Sequence, residues 1–265
     1  MLAKRTISAA IIALVGAALI LSGGWIYTIG ISCILAIAAW EFTSMFKEAK
    51  HNPHPVLVAA GTSIITLSRN FQDPTAFALY FIMIFFTICV VGIWGYSRQE
   101  TNAIDLAIDL AALVFILFPG SFLIQLRSLP DGLFWAFACI FCASISDVAA
   151  YLFGSALGKA KLAPRVSPNK TIVGYVCGVL FSVITGLFVG YLARLYQVEI
   201  FPATLMIGAA VGLIAPFGDL SKSVVKRSFS LKDTGNSIPG HGGVLDRIDT
   251  ILWAAPVSYL IIYFL

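Results

Sequence analysis

Charge is scarce in this sequence. Asp, Glu, Lys and Arg make up 11% of 265 residues, against 59% hydrophobic residues and a mean hydropathy of +0.93. A soluble domain carries about 25% charged residues, so a water-facing globule of this length is excluded. The Cys139-x-x-Cys142 motif lacks the second cysteine pair or nearby histidine that would complete a zinc set. All five cysteines (Cys33, Cys89, Cys139, Cys142, Cys177) lie in apolar runs, which points to helix packing and implies no disulfide framework. Walker A, GxSxG and HExxH patterns are absent, as are tandem repeats, low-complexity tracts and soluble linkers.

Long apolar runs are what the chain has instead. A spanning helix needs about 20 mostly apolar residues. Candidates occur at 7–21, 25–40, 56–67, 77–94, 106–126, 133–153, 173–193, 201–217 and 251–265. The expected fold is therefore an all-α polytopic integral membrane protein with about nine transmembrane helices. Only Ser22-Gly23-Gly24 separates the first two runs, which predicts a tight helical hairpin. The 56–67 run is short for a full span and reads as a half-membrane or interfacial piece. Lys4 and Arg5 precede the first run as in a signal peptide, but no small-x-small site closes it and a second apolar run follows at once. A retained first helix is expected.

Lysine and arginine placement gives an orientation. With the N-terminus inside, only Arg69, Arg127 and Arg194 of the 17 Lys and Arg residues fall in outer segments. Trp25, Tyr27, Trp94, Tyr96 and Tyr196 sit near span ends, as interfacial aromatics do.

Residues 216–249, PFGDLSKSVVKRSFSLKDTGNSIPGHGGVLDRID, break this composition. Asp219, Asp233, Asp246 and Asp249 are four of the chain's 13 acidic residues, and Asp219, Asp246 and Asp249 stand at span ends. Ionised groups there are expensive to desolvate unless paired, hydrated or bound to a cation. Asp246 and Asp249 are also spaced to share one side of a helical turn, although anionic residues favour helix N-termini in any case. Mg²⁺ takes one or two carboxylates together with waters and phosphate oxygens. Lys226, Arg227, Lys232 and Arg247 could neutralise phosphate, and Gly240, Gly242 and Gly243 let backbone approach a ligand. Asp147 lies inside an apolar run, where a carboxylate is a functional candidate by default.

The spacing Ser223, Lys226-Arg227, Lys232-Asp233, Gly235, Ile238-Pro239, His241-Gly242-Gly243, Asp246-Arg247-Ile248-Asp249 resembles the signature of the phosphatidate cytidylyltransferases (CDP-diacylglycerol synthases). Residues 166–174, VSPNKTIVG, look like that family's Ser-Pro-x-Lys-Thr segment, and Asp147 matches an acidic position in its preceding helix. The resemblance covers roughly residues 140–265. Two positions depart from it: Val173 stands where Glu or Gln is common, and Lys222 where Glu commonly precedes the signature serine.

The resemblance implies transfer of a cytidylyl group from CTP to phosphatidate, with Mg²⁺ as cofactor and release of pyrophosphate. Asp219 and Asp246 would be the first metal ligands, with Asp249 and Asp147 next. Lys226, Arg227, Lys232, Asp233, His241 and Arg247 would form the catalytic set. Ser167, Lys170, Thr171, Ser223, Gly242 and Gly243 would bind substrate. For His241, a phosphate-donor or proton-transfer role and a capping or packing role both stand. Residues 1–130 would be N-terminal membrane helices and 131–265 the catalytic membrane region, with its signature loop 218–249 facing the cytosol from the cell's inner (plasma) membrane. CTP, phosphatidate and membrane lipid are the expected partners, with a second copy of the chain a candidate and no nucleic acid.

Two other function classes stand beside this one. Asp147 with Asp105 and Asp109 could line the path of an ion transporter or channel, although interfacial position also explains Asp105 and Asp109. A related nucleotidyltransferase acting on another lipid phosphate would share the signature. His51 and His54, in the short HNPH loop, are expected to be surface residues.

Overall fold

A computed structural model describes residues 13–71, 73–231, 235, 237 and 242–265. Lys4 and Arg5, and the candidate site residues Lys232, Asp233 and His241, lie outside these described residues. The chain divides into two compact units. The N-terminal unit comprises Met1–Ser128 with Ser228–Ile248, and the C-terminal unit Leu129–Arg227 with Asp249–Leu265.

In the N-terminal unit, α1 (Ala13–Ser22) gives way to α2 (Gly24–Ser44) at Gly23 and Gly24. Both glycines have positive φ, +63° and +49°, a backbone that a Cβ would penalise. Leu19 then packs against Gly30, as a helical hairpin requires. Helix α3 (Pro55–Ser68) opens on proline, whose missing N–H costs nothing in a first turn. Its 14 residues reach about 21 Å, short of the ~30 Å hydrocarbon core. Helix α4 (Pro74–Ser97) also opens on proline, and the Asp73 carboxylate caps it by accepting from the Thr75 N–H at 2.8 Å. Helix α5 (Ala103–Ala112) runs through a π-helical turn at Leu113–Leu117 into α6 (Phe118–Ser128). Pro119 accounts for that widening, since it offers no N–H and its ring crowds the carbonyl one turn earlier.

The C-terminal unit holds α7 (Gly132–Leu157), α8 (Ile172–Leu195), α9 (Phe201–Ile214), α10 (Pro216–Ser228, less its last residue) and most of α11 (Leu245–Phe264). Helices α7, α8 and α9 pack against one another through small residues. At the α7–α8 crossing a Cβ on Gly174 would lie 3.1 Å from Gly154 Cα and 2.5 Å from the Ala150 carbonyl oxygen. Close backbone approach of this kind is how apolar helices associate where lipid removes the hydrophobic drive. Between α7 and α8 the chain forms a short antiparallel hairpin, β1 (Lys161–Ala163) with β2 (Ser167–Thr171). It is a small β addition to an otherwise all-α fold.

Among the described residues, seven helical runs are long and apolar enough to cross a membrane. The nine apolar runs of the sequence map onto these seven and onto the short helices α1 and α3. Leu79, Met83, Phe86 and Val90 on α4, and Val176, Leu180 and Phe188 on α8, project outward as a bilayer solvent would allow. The protein is a polytopic membrane protein.

The α7–α8 contact gives a stability test. Overpacking a close-packed site typically costs about 1–3 kcal/mol. Gly174→Leu is expected to lower the thermal unfolding midpoint in detergent. Gly16→Leu, placed where no atom lies within 4 Å of the added Cβ, should leave it near wild type.

Candidate active site

Helix α10 begins where Pro216 follows the last turn of α9. Its first turn carries Asp219; Lys222 and Ser223 follow, and its last turn carries Lys226 and Arg227. These steps of three and four residues align all five along one stripe of the helix. Lys222 is buried, Ser223 and Lys226 are half-buried, and Arg227 is exposed. A Cβ on Gly218 would collide with the Asp249 carbonyl oxygen, so the glycine lets α10 lie directly against α11 at this level.

That approach brings Lys222 between two carboxylates. Its ammonium stands 3.5 Å from Asp219 Oδ1 and forms an ion pair with Asp249 Oδ2. The hairpin supplies a second ammonium. Lys170 Nζ, on β2, lies 3.0 Å from Asp219 Oδ2 and donates to the Pro216 carbonyl at 3.2 Å. Lysines 52 positions apart in sequence thus clamp one aspartate from both sides.

The cluster continues onto α7. Asp147 Oδ2 accepts from the Thr250 hydroxyl at 2.8 Å, and Asp249 Oδ1 accepts from the Thr250 N–H at 2.8 Å. Asp147 also lies within electrostatic reach of Lys170, Asp219 and Lys222. Of the sequence-predicted residues, Asp147, Lys170, Asp219 and Asp249 are therefore gathered within the C-terminal unit. Thr250 and Lys222, which the sequence pattern does not single out as site residues, complete the group. Their signals were position: Thr250 directly follows the Asp-Arg-Ile-Asp run, and Lys222 is one helical turn from Asp219.

Thr171 is buried, and its hydroxyl caps α8 by accepting from the Gly174 N–H at 3.1 Å. Ser167 opens β2 and is half-buried, with Pro168 and Asn169 exposed beyond it.

The N-terminal unit holds the other end of the signature. Gly242 has φ +79°, and a Cβ there would lie 3.3 Å from Asp246 Oδ2. Gly243 is buried and Arg247 exposed. Glu41, near the end of α2, organises this stretch although sequence reading passed over it. Only 1% exposed, its carboxylate accepts from the Val244 N–H at 3.0 Å and the Leu245 N–H at 2.8 Å, capping the first turn of α11. An acidic residue closing an apolar run was the available signal.

His51 and His54 are half-buried rather than free on the surface. They pair with the buried Asp105 and Asp109 at 3.3 and 2.9 Å. The same carboxylates accept from the backbone N–H groups of Asn52 and His54, both at 2.9 Å. Asp105 also completes a capping box with Asn102. These bonds give both aspartates a structural role in holding the 48–54 loop.

The site's donor set constrains how it could hold a metal. Among the described residues, no three His, Cys, Asp or Glu side chains are placed to share an ion. Lys222 already pairs with both Asp219 and Asp249, so a cation bridging them would compete with its ammonium. Mg²⁺ is usually held by one or two carboxylates plus substrate phosphates. The residues suit that mode and not an all-protein cage.

A polytopic helical protein with interleaved lysines and aspartates at the helix ends has the makings of a membrane-embedded phosphate-handling site. The chain belongs to the cytidylyltransferase family, which it matches over residues 3–265. It is 31% identical over 269 residues to the phosphatidate cytidylyltransferase of Staphylococcus aureus (strain COL), covering 97% of this chain and 98% of that one. The Staphylococcus saprophyticus protein of the same name is 29% identical at the same coverage. The Rickettsia bellii (strain RML369-C) phosphatidate cytidylyltransferase is 36% identical over 187 residues, 69% of this chain and 79% of that one.

Glu41 yields a graded expectation. A buried N–H left without a partner costs about 1–3 kcal/mol, and Glu41→Ala strands two. Glu41→Gln keeps one acceptor oxygen. Differential scanning fluorimetry should rank the thermal midpoints wild type, then Glu41→Gln, then Glu41→Ala.

Proposed function

We propose that this chain is a phosphatidate cytidylyltransferase, transferring a cytidylyl group from CTP to phosphatidate to give CDP-diacylglycerol and pyrophosphate. The observation that carries the proposal is the meeting of Lys170, from the Ser-Pro-x-Lys-Thr segment, with the polar stripe of α10 at Asp219.

The chemistry requires two polyanions to meet. A non-bridging phosphate oxygen of phosphatidate attacks the α-phosphorus of CTP. A new phosphoanhydride bond forms as the bond between the α-phosphorus and the oxygen bridging to the β-phosphate breaks, and pyrophosphate leaves with the electron pair. A phosphate monoester has a second pKa of about 6, so the nucleophile is already largely ionised and no strong general base is needed. The burden falls on charge cancellation and alignment.

An ammonium has three donors. Lys170 uses one on the Pro216 carbonyl and one on Asp219, which leaves capacity for a phosphate oxygen. Lys226 and Arg227 extend the positive stripe along α10, and Arg227 offers a planar fork suited to two phosphate oxygens. Ser167 and Ser223 supply hydroxyls on the hairpin and on that stripe. Lys232, Asp233, His241 and Arg247 remain proposed contributors from the signature, as do Gly242 and Gly243.

Mg²⁺ is the proposed cofactor, arriving on the CTP phosphates with a protein contribution of one or two carboxylates drawn from Asp147, Asp219 and Asp246. When bound it would supply Lewis-acid neutralisation of the phosphates. The proposed setting is the plasma membrane with the site facing the cytosol, where CTP is soluble and the lipid enters sideways from the bilayer. A homodimer is the proposed assembly.

Two measurements test this. Loss of one electrostatic contact to a transition state typically lowers kcat by about 10²–10³-fold. Asp219→Asn and Lys170→Met should each fall by that order in an assay with labelled CTP and phosphatidate, in protein with an unchanged gel-filtration profile. Near-wild-type rates in both would remove this cluster from the reaction. For orientation, single cysteines at positions 159 and 230, in a background without the five native cysteines, should resist a membrane-impermeant thiol reagent added to intact cells. Labelling from outside would reverse the orientation.

A further inference from the structure

Lys222 is the residue whose surroundings the chemistry above leaves unused. Its side chain is 8% exposed, and its ammonium lies between Asp219 and Asp249. With Asp147 and Lys170, the cluster sets three carboxylates against two ammonium groups among the described residues. An acidic residue at position 222, as the resembling sequences commonly have, would set four carboxylates against one ammonium. In apolar surroundings such an excess has to be met by a bound cation. A lysine in the same place changes the balance by two charges and fills the gap sterically.

We infer that Lys222 is a tethered cation occupying the position between Asp219 and Asp249 that a metal ion would otherwise take. The wild-type protein therefore binds no metal at this carboxylate pair. Its Mg²⁺ requirement is confined to the ion carried by the nucleotide. For its meaning in turnover the inference rests on the proposed cytidylyl transfer. Its binding test rests on the geometry alone.

Mn²⁺ is the probe, titrated into detergent-purified full-length protein without substrate and followed by the electron paramagnetic resonance signal of the free ion. Wild type should show no Mn²⁺ site that depends on Asp249, so Asp249→Asn should not alter its titration. Lys222→Glu should gain a site, and adding Asp249→Asn in that background should abolish it. The site gained should bind Mn²⁺ roughly 10–100-fold more tightly than any residual association with wild type, the range over which neighbours of a metal's ligands act. Thermal midpoints should follow: Mn²⁺ raises that of Lys222→Glu and not that of wild type.

Lys222→Gln removes the charge with little change in size and serves if Lys222→Glu does not fold; it should gain a weaker site of the same Asp249 dependence. An Asp249-dependent Mn²⁺ site in wild type, within threefold of the variant's affinity, would overturn the inference, as would no gain in either variant. Protein that shows the predicted Mn²⁺ behaviour but no activity on CTP and phosphatidate would unseat the proposed function and leave the tethered cation standing. Full activity with an Asp249-dependent Mn²⁺ site in wild type would do the reverse.

Discussion

Carboxylates at the ends of apolar helices need compensation, and the C-terminal unit is arranged around supplying it. Two unit charges at 4 Å interact by about 1 kcal/mol in water and about 4 kcal/mol at an effective dielectric of 20. The Lys170–Asp219 pair, at 3.0 Å and with both side chains mostly covered, lies toward the stronger limit. Each local feature serves that pairing. The hairpin carries Lys170 back over the start of α10, Thr171 fixes the hairpin to α8 by capping it, and Gly218 lets α11 bring Asp249 to Lys222.

The chain meets buried carboxylates in three different ways, and the differences follow chemistry. Glu41 is held by two backbone N–H groups, and Asp105 by backbone together with His51. Asp109 is held by the backbone and ring of His54. Backbone donors are fixed in place and suit a structural joint. Asp219 is instead held by two lysines, and Asp249 by a lysine alongside the Thr250 N–H; lysines are compact charges on flexible stems. A lysine can shift toward an incoming phosphate without unfolding a helix. Among the described residues, the lysine-held group therefore combines charge compensation with the capacity to exchange partners.

Much of this was legible in the sequence because membrane helices obey one dominant rule. Length and apolarity located each of the seven long spans among the described residues, with prolines marking the first turns of α3, α4, α9 and α10. The spacing from Ser223 to Asp249 pointed to phosphate chemistry because Asp, Lys and Gly are otherwise costly so close to a bilayer. What escaped was long-range pairing. Glu41 meets Val244 and Leu245 more than 200 positions away, and its place at the end of an apolar run marks it without naming those partners. The Ser-Pro-Asn-Lys-Thr strand is too short and polar to carry a strand pattern, and His51 and His54 read as surface until Asp105 and Asp109 are placed beside them.

Lys222 shows why sequence departure and structural position have to be weighed together. As a letter it reverses the charge common at that place in resembling sequences, which on its own suggests weakened cation binding and an impaired site. In the fold, the same residue is buried against the two carboxylates whose charge would call for a cation. Breaking a buried pair by removing one partner is far more destabilising than exchanging both. The lysine and its aspartates therefore constrain one another, and Asp249 keeps its structural value even without a metal. Asp219 has a different position: about a third exposed and shared by two lysines, it is the carboxylate of the group best placed to meet a ligand from solution. The cluster thus separates an inner pair that stabilises the helix ends from an outer edge, Lys170 and Asp219, on which phosphate chemistry can act.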